Sequence, residues 1–392
     1  MIDQYKKNEC NGCQMCKEVC PKQAIYYKTD QEGFWYPSVD YVKCVKCGLC
    51  VKKCPNKTPI IERTKKPKVF AAWSMSKSVR LKSTSGGIFY ELASHVLENG
   101  GYVAGCVYDD DFKGAHHILI NSKKNLPPLM VSKYVESNAC GIYPKVKDAL
   151  STGKPVLFVG APCQVAALVS YLDKEYENLI LCDFLCRGSN SPKAHRRYIE
   201  YLENKYGGKM VFLRSKDKRK GWNNFGQSAI FDNGKEYYAN RNEDVRIIAY
   251  HYGNLMMRDS CHYCKFKKIP RVGADITLAD FWRINPDDVD DIDSGVSLVM
   301  INTDKGNKWV DKIKDTTVFV EKDIEQALKG NSAIYKSAKR GKNRDKFLSE
   351  LDCLPFDELV EKYKDKKSGV LKRAINKARN IAKMLISGAR NA

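Results

Sequence analysis

The sequence predicts an α/β fold, or α+β when its first module is counted, with a small cysteine-rich unit ahead of a mixed-sheet domain. Two observations carry this. A cysteine run occurs twice in the first 55 residues, and from residue 68 onward short apolar runs alternate with helical patterns. The 392 residues suffice for two or three domains, and 43% hydrophobic residues is ordinary for a chain with a core.

The first run, CNGCQMCKEVCP, supplies Cys10, Cys13, Cys16, Cys20 and Pro21. The second, CVKCGLCVKKCP, supplies Cys44, Cys47, Cys50, Cys54 and Pro55. Both read C-x2-C-x2-C-x3-C-P, the spacing of bacterial-type ferredoxin domains with two 4Fe-4S clusters. Three thiolates on one tight loop wrap a cubane from one side, and the fourth, carried into a short helix, serves the other cluster. The expected sets are therefore Cys10, Cys13, Cys16 with Cys54, and Cys44, Cys47, Cys50 with Cys20. The rival is a pair of zinc sites, which use separated C-x2-C pairs rather than a repeated triple ending in C-P. The module is expected over 1–63, with QAIYYKT as its first strand.

Past a linker at Arg63–Lys68, KVFAAWSM, YVAGCVYD, AHHILI, PVLFVG, NLILCDFLC and ADITLADFW read as strands. GGIFYELASHVLENGG, QVAALVSYLDKE, SPKAHRRYIEYLENKYG and DVRIIAYHYGNLMM read as helices. This mixed-sheet domain is expected over 68–360. No G-x-G-x-x-G follows a strand, so the NAD-type fingerprint is missing. Cys163 and Cys186 fall at strand ends, predicting both on the carboxyl edge of the sheet, where ligands bind in open α/β folds. Cys182 lies mid-strand and reads as core. Cys261 and Cys264 form a further C-x2-C. With Cys163 and Cys186 they make four thiols, enough for a third four-iron cluster, a zinc site, or ordinary buried cysteines. Cys106 and Cys140 compete for the ligand role. His95 reads as helix packing, and His116 and His117 as strand-surface residues.

Sixteen cysteines behind an opening with no apolar core point to a reducing, cytoplasmic setting and to metal or redox chemistry. The net charge of +21 favours an anionic partner, coenzyme or membrane surface. No nucleic-acid-binding motif is visible, so nucleic acid is not expected as a partner. From Lys366 on there are no acidic residues, and Leu371, Ala374, Ala378, Ile381 and Leu385 recur at helical spacing. This basic amphipathic C-terminal helix, assigned to 361–392, can lie peripherally on the inner face of a membrane, cap a partner, or pack on its own domain.

Taken in order, STSGGIFYELA (83–93), SKYVESN (132–138), VLFVGAPCQVAAL (156–168), DFLCRGSNSPK (183–193), CHYCKF (261–266), ADITLADFW (274–282) and GVSLVMINTDKG (295–306) resemble the coenzyme F420 hydrogenase/dehydrogenase beta-subunit family in its ferredoxin-fused form. The resemblance implies an FAD-binding domain with a four-iron cluster beside the flavin, ligated by Cys163, Cys186, Cys261 and Cys264. It implies flavin contacts around Ser85, Gly86, Gly87, Lys133, Tyr134 and Ser137, with Asp275 and Asp280 nearby. It names no catalytic residue. Glycine is frequent in the family where Ala279 and Arg283 stand here. The implied activity is that of an iron–sulfur flavoprotein oxidoreductase. It would pass electrons between a ferredoxin or other redox protein and a two-electron small-molecule substrate, either coenzyme F420 or a pathway intermediate. The alternative is an electron-relay subunit serving a separate catalytic protein. A colourless zinc protein is the third reading.

Overall fold

The structure is a computed structural model that describes residues 1–58 and 66–364. Most of the expected linker, and the basic segment from 366 onward, lie outside the described residues.

Two strands, β1 (Ile25–Thr29) and β2 (Trp35–Val39), form the antiparallel hairpin of the cysteine-rich module. Each cysteine run turns into a short helix, Met15–Glu18 and Leu49–Lys52. The two loops match residue for residue. Gly12 and Gln14 have φ +69° and +64°, while Lys46 and Gly48, their counterparts, have +55° and +75°. Left-handed backbone is needed twice per loop to turn three thiols inward, and each repeat places its glycine at a different one of the two positions.

The large domain is built on β3 (Lys68–Ser74), β4 (Tyr102–Tyr108), β5 (Ala115–Ile120), β6 (Val156–Gly160) and β7 (Leu179–Phe184). It continues through β8 (Met210–Asp217), β9 (Gly226–Phe231), β10 (Glu236–Asn240), β11 (Ile276–Asp280), β12 (Ser297–Ile301) and β13 (Thr317–Glu321). Eight strands form one sheet in the order β13-β3-β12-β11-β7-β6-β4-β5. Its centre, β4, β6, β7 and β11, is parallel, and the flanking pairs are antiparallel. The mixed sheet is as expected, and so is its two-sided burial. Leu157 and Ile180 pack beneath the helices Ile88–Glu98 and Asp304–Asp311, while Val156, Phe158, Leu179 and Leu181 pack under Ile142–Ser151 and Pro162–Leu172. Strands covered on both faces read as continuous apolar runs, which is why PVLFVG and NLILC stand out.

β8, β9 and β10 make a separate antiparallel sheet that the strand pattern had not indicated. Its signal was present in the Asn233-Gly234 turn between alternating runs. The expected helix over DVRIIAYHYGNLMM is shorter. Val245–Ile247 is α-helical and Ile248–Tyr252 widens into a π-turn, whose His251 carbonyl accepts from Arg187 Nη2 at 2.9 Å. The last described helix, Phe356–Tyr363, buries Val360 and Tyr363 in the large domain's core, so that domain runs past 360. No helix among the described residues is long and apolar enough to cross a membrane.

The cysteine-rich module is not a bead on a string. Met15 is fully buried in one core of the large domain and Phe34 in another. Arg258 donates through Nη1 to both Glu136 oxygens at 2.8 and 2.9 Å, through Nε to Cys10 O at 2.7 Å and through Nη2 to Trp35 O at 3.0 Å. Burial works against the Arg258 charge, yet Glu136 and the Cys10 thiol hold its pKa above the ordinary arginine value. Arg344 grips Glu32 with two bonds of 2.9 and 2.7 Å. Replacing Arg258 by methionine is expected to cost about 3–5 kcal/mol, because Glu136 is left buried and uncompensated. Anaerobic chemical denaturation measures the loss, and adding Glu136→Gln should recover much of it.

Candidate iron–sulfur and cofactor site

Three groups of cysteines gather. Cys20, Cys44, Cys47 and Cys50 line one depression, holding about 340 Å³ of unfilled space. Cys10, Cys13, Cys16 and Cys54 raise one another's pKa values, and burial, the largest cause, pushes Cys13 up to about 12. Each set contains three thiols of one run and the fourth of the other, the crossed arrangement the spacing requires.

The third group forms at the carboxyl edge of the large sheet. Cys163 follows β6 and Cys186 follows β7, which are parallel neighbours. Cys261 and Cys264 face them from the segment that Arg258 anchors. Together the four line a cavity with about 460 Å³ of unfilled space, along with Asn11, Arg187, Lys267 and Arg271. Ser189 N donates to Cys261 Sγ at 3.3 Å, and Lys267 Nζ donates to Cys186 O at 2.5 Å. Burial pushes Cys163 well above the ordinary thiol value and Cys261 up to about 12, with the neighbouring thiols adding to both. Binding a cation here must therefore release protons. Among the described residues no three Cys, His, Asp or Glu side chains converge on a single metal ion. The four thiols ring a space instead, and cations border it, which suits a larger anionic group.

This cavity adjoins the module. Asn11, between Cys10 and Cys13, is part of its wall, and Cys13 is among the thiols that raise Cys163. The Cys10–Cys13–Cys16 loop is thus the inner one. Cys13 O accepts from Tyr143 Oη at 2.6 Å, and Gln14 Oε1 accepts from Ala139 N at 2.5 Å. Cys106 and Cys140 do not line the cavity. Cys182 lies in the sheet core, as its mid-strand position indicated. His95 packs edge-on against Trp309. His116 lies half-exposed, its Nδ1 2.6 Å from Asp109 Oδ1, whereas His117 points inward against Phe158, and burial lowers its pKa to about 4. Alternation along β5 separates the two histidines, so only the first is a surface residue.

The residues expected near a flavin divide. Thr84 Oγ1 accepts from Ser132 N at 3.1 Å, joining the loop of Ser85 to that of Lys133 and Tyr134. Lys133 has its pKa lowered to about 8 by desolvation, and Ser137 Oγ accepts from Gln164 Nε2 at 3.1 Å. Asp280 pairs with Lys216 in the interior and accepts from Trp222 Nε1 at 3.0 Å. The Trp222 ring stacks on Trp282 at 4.7 Å. Gly87, at φ +93°, opens the helix Ile88–Glu98, and no side chain caps that end. Gly86 serves the protein itself, because a Cβ there would stand 2.4 Å from Ala72 O and 2.7 Å from Ser297 N. Asp275 starts β11 at the opposite end from Asp280. Its carboxylate is taken by Leu181 N at 2.9 Å, Thr303 Oγ1 at 2.7 Å and Lys305 at 3.5 Å, so its role is to hold the sheet. Arg283 has φ +65°, which explains the glycine frequent at that position.

The sequence reading overlooked the cations that gather here. Lys216 and Lys218 come from β8, and Lys218 Nζ donates to Ser85 O at 2.9 Å and Ser294 O at 2.6 Å. Burial lowers the His251 pKa to about 3, and Arg187, Lys216, Arg246 and Arg241 lower it further. Missing β8–β10 hid this positive region.

Crossed thiol sets beside a thiol-ringed cavity define an iron–sulfur electron-transfer protein of the oxidoreductase type. Over residues 153–327 the chain belongs to the coenzyme F420 hydrogenase/dehydrogenase beta-subunit family, matching its C-terminal model, and residues 9–58 match a 4Fe-4S dicluster domain. An uncharacterised ferredoxin of Methanocaldococcus jannaschii is 32% identical over 62 residues, 16% of this chain and 79% of that protein. An uncharacterised protein of the same organism is 23% identical over 207 residues, 45% of this chain, and the match spans just over half, 56%, of that protein. A chain of the F420-reducing NiFe hydrogenase complex of Methanosarcina barkeri aligns at a TM-score of 0.45 and 19% identity, covering 76% of this chain and 91% of that one.

Within the inner set, the Tyr27 hydroxyl lies 3.0 Å from Cys16 Sγ. Burial, with the nearby thiols, holds the Tyr27 pKa well above the ordinary value, so the phenol keeps a proton to donate. Hydrogen bonds to ligating sulfur raise a cluster's potential. Tyr27→Phe should shift one cluster potential to more negative values by roughly 20–60 mV, equivalent to a hydrogen bond of about 0.5–1.5 kcal/mol, and leave the other unchanged. An EPR-monitored redox titration reads this.

Proposed function

We propose that the chain moves electrons between a one-electron redox protein and a two-electron substrate, using three four-iron sites in series and a flavin. Cys20, Cys44, Cys47 and Cys50 would hold the outer cluster, and Cys10, Cys13, Cys16 and Cys54 the inner one. Cys163, Cys186, Cys261 and Cys264 would hold the third. The observation that carries the reading is the cavity ringed by these last four thiols, with Asn11 of the inner loop in its wall. Lys267 and Arg187 there offset the negative charge of a thiolate cluster.

FAD is the cofactor proposed beyond the third site, in the region of Ser85, Gly87, Lys133, Tyr134, Ser137 and Asp280. The uncapped helix end at Gly87 suits a phosphate. Lys133, Lys216 and Lys218 supply positive charge, and Trp222, Trp282 and Tyr134 supply flat apolar surface. When bound, FAD supplies the exchange between single electrons and electron pairs. The protein's own part is to fix the spacing, exclude water and keep Lys216 and Asp280 paired in the interior. Coenzyme F420 or another two-electron acceptor is the proposed substrate. The family's standing as a beta subunit favours a second reading, in which the chain relays electrons to a separate catalytic protein. Substrate reduction by the purified chain alone decides between the two.

Anaerobic purification followed by iron, sulfide and flavin analysis should give about twelve irons and one FAD per chain. About eight irons would remove the third cluster. Cys261→Ser should lower the count to about eight while leaving the N-terminal clusters reducible and slowing flavin reduction severely.

A further inference from the structure

The two cysteine loops are alike in backbone and opposite in surroundings. At Gly12 of the inner loop a Cβ would stand 2.6 Å from Glu136 Oε1, whereas Lys46, its counterpart in the outer loop, is exposed. Gln14 is buried against the large domain, whereas Gly48, its counterpart, has nothing within 4 Å of where a Cβ would lie. Of the twelve candidate ligands, Cys47 alone is exposed. Beside it, Val42 is 97% and Val45 58% exposed, an unusual display for valine. Lys22 and Val45 share a depression with Cys47. Lys43 and Lys46 flank these valines, with Lys43 3.6 Å from Asp40, and residues 41–53 contain no acid.

We propose that this face, Lys22, Val42, Lys43, Val45 and Lys46 around Cys47, is the docking surface for a small acidic one-electron carrier protein. The inference rests on the proposed entry of electrons through the N-terminal clusters and adds where and with what partner this happens. A small apolar centre inside a ring of one charge suits a transient contact, in which charge steers the encounter and desolvation of the valines holds it briefly. The inner loop has no such role open to it, because the large domain covers it. In the step itself the reduced carrier loses one electron and the cluster at Cys20, Cys44, Cys47 and Cys50 gains it, with no proton moved.

The test uses the full, cluster-loaded chain and a reduced two-cluster ferredoxin of net negative charge, mixed by stopped flow at low and high salt. The wild-type rate should fall steeply with salt. Lys22→Glu/Lys46→Glu should lower the low-salt rate about tenfold or more and flatten the salt dependence. Reduced methyl viologen, a small cation, should still reduce the clusters of both proteins, showing that the variant is folded and loaded. Equal ferredoxin rates in the two proteins, or a wild type that viologen reduces and ferredoxin does not, would overturn the proposal. Charge-dependent binding to vesicles of anionic phospholipid without any ferredoxin reaction would assign the face to a membrane and also overturn it. Charge-dependent cluster reduction with no electrons reaching a flavin would support the docking surface while removing the proposed function.

Discussion

The contact on which the rest depends is the one between Arg258 and Glu136. Both side chains are buried, and both carboxylate oxygens lie within 2.9 Å of a single guanidinium nitrogen. A charge pair taken so far out of water stabilises only if every remaining donor is satisfied. Here the other guanidinium nitrogens bond to the carbonyls of Cys10 and Trp35. One side chain therefore ties the first ligand of the module, its hairpin and a loop of the large domain together. Because Arg258 stands three residues before Cys261, the same segment carries a ligand of the third cavity. The position of one metal site relative to the next is set by a few bonds of chain rather than by a flexible tether.

The carboxyl edge of the sheet does the remaining placement. Parallel strands β6 and β7 end side by side, and the chain leaving each presents a cysteine at once, before the following helix begins. The geometry is cheap in sequence, since the strands are set by their apolar runs and the turn by Pro162 in one case and Ser191-Pro192 in the other. That edge also receives Asp280 at the end of β11, which is why metal-binding and cofactor-facing groups collect on one side of the sheet and Asp275 does not join them.

Much of this was legible in the residues. The crossed thiol sets follow from the x2-x2-x3 spacing, and the strand-end cysteines follow from where the apolar runs stop. The docking of the module was not legible, because it depends on single long-range contacts such as Gly33 against Lys193 and Arg344 against Glu32, which leave no periodic trace. The cation cluster was missed for a different reason. β8–β10 alternate weakly and contain several polar residues, and the following segment abandons α geometry for a π-turn at Ile248–Tyr252, which no 3.6-residue pattern anticipates. Gly86 shows the converse error, in which a glycine pair that suits a phosphate is used instead for close contact between helix and strand.

The burial of Met15 and Phe34 within the large domain has a consequence for how the molecule is made. Cys16 is closed off once those side chains are seated, and the Cys13 carbonyl is held by Tyr143. A scaffold protein handing over iron and sulfide needs open thiols. Maturation must then run in order, with the inner site filled while the module is still detached and the large domain closing over it afterwards. A chain that docks too early traps empty, protonated thiols behind its own core.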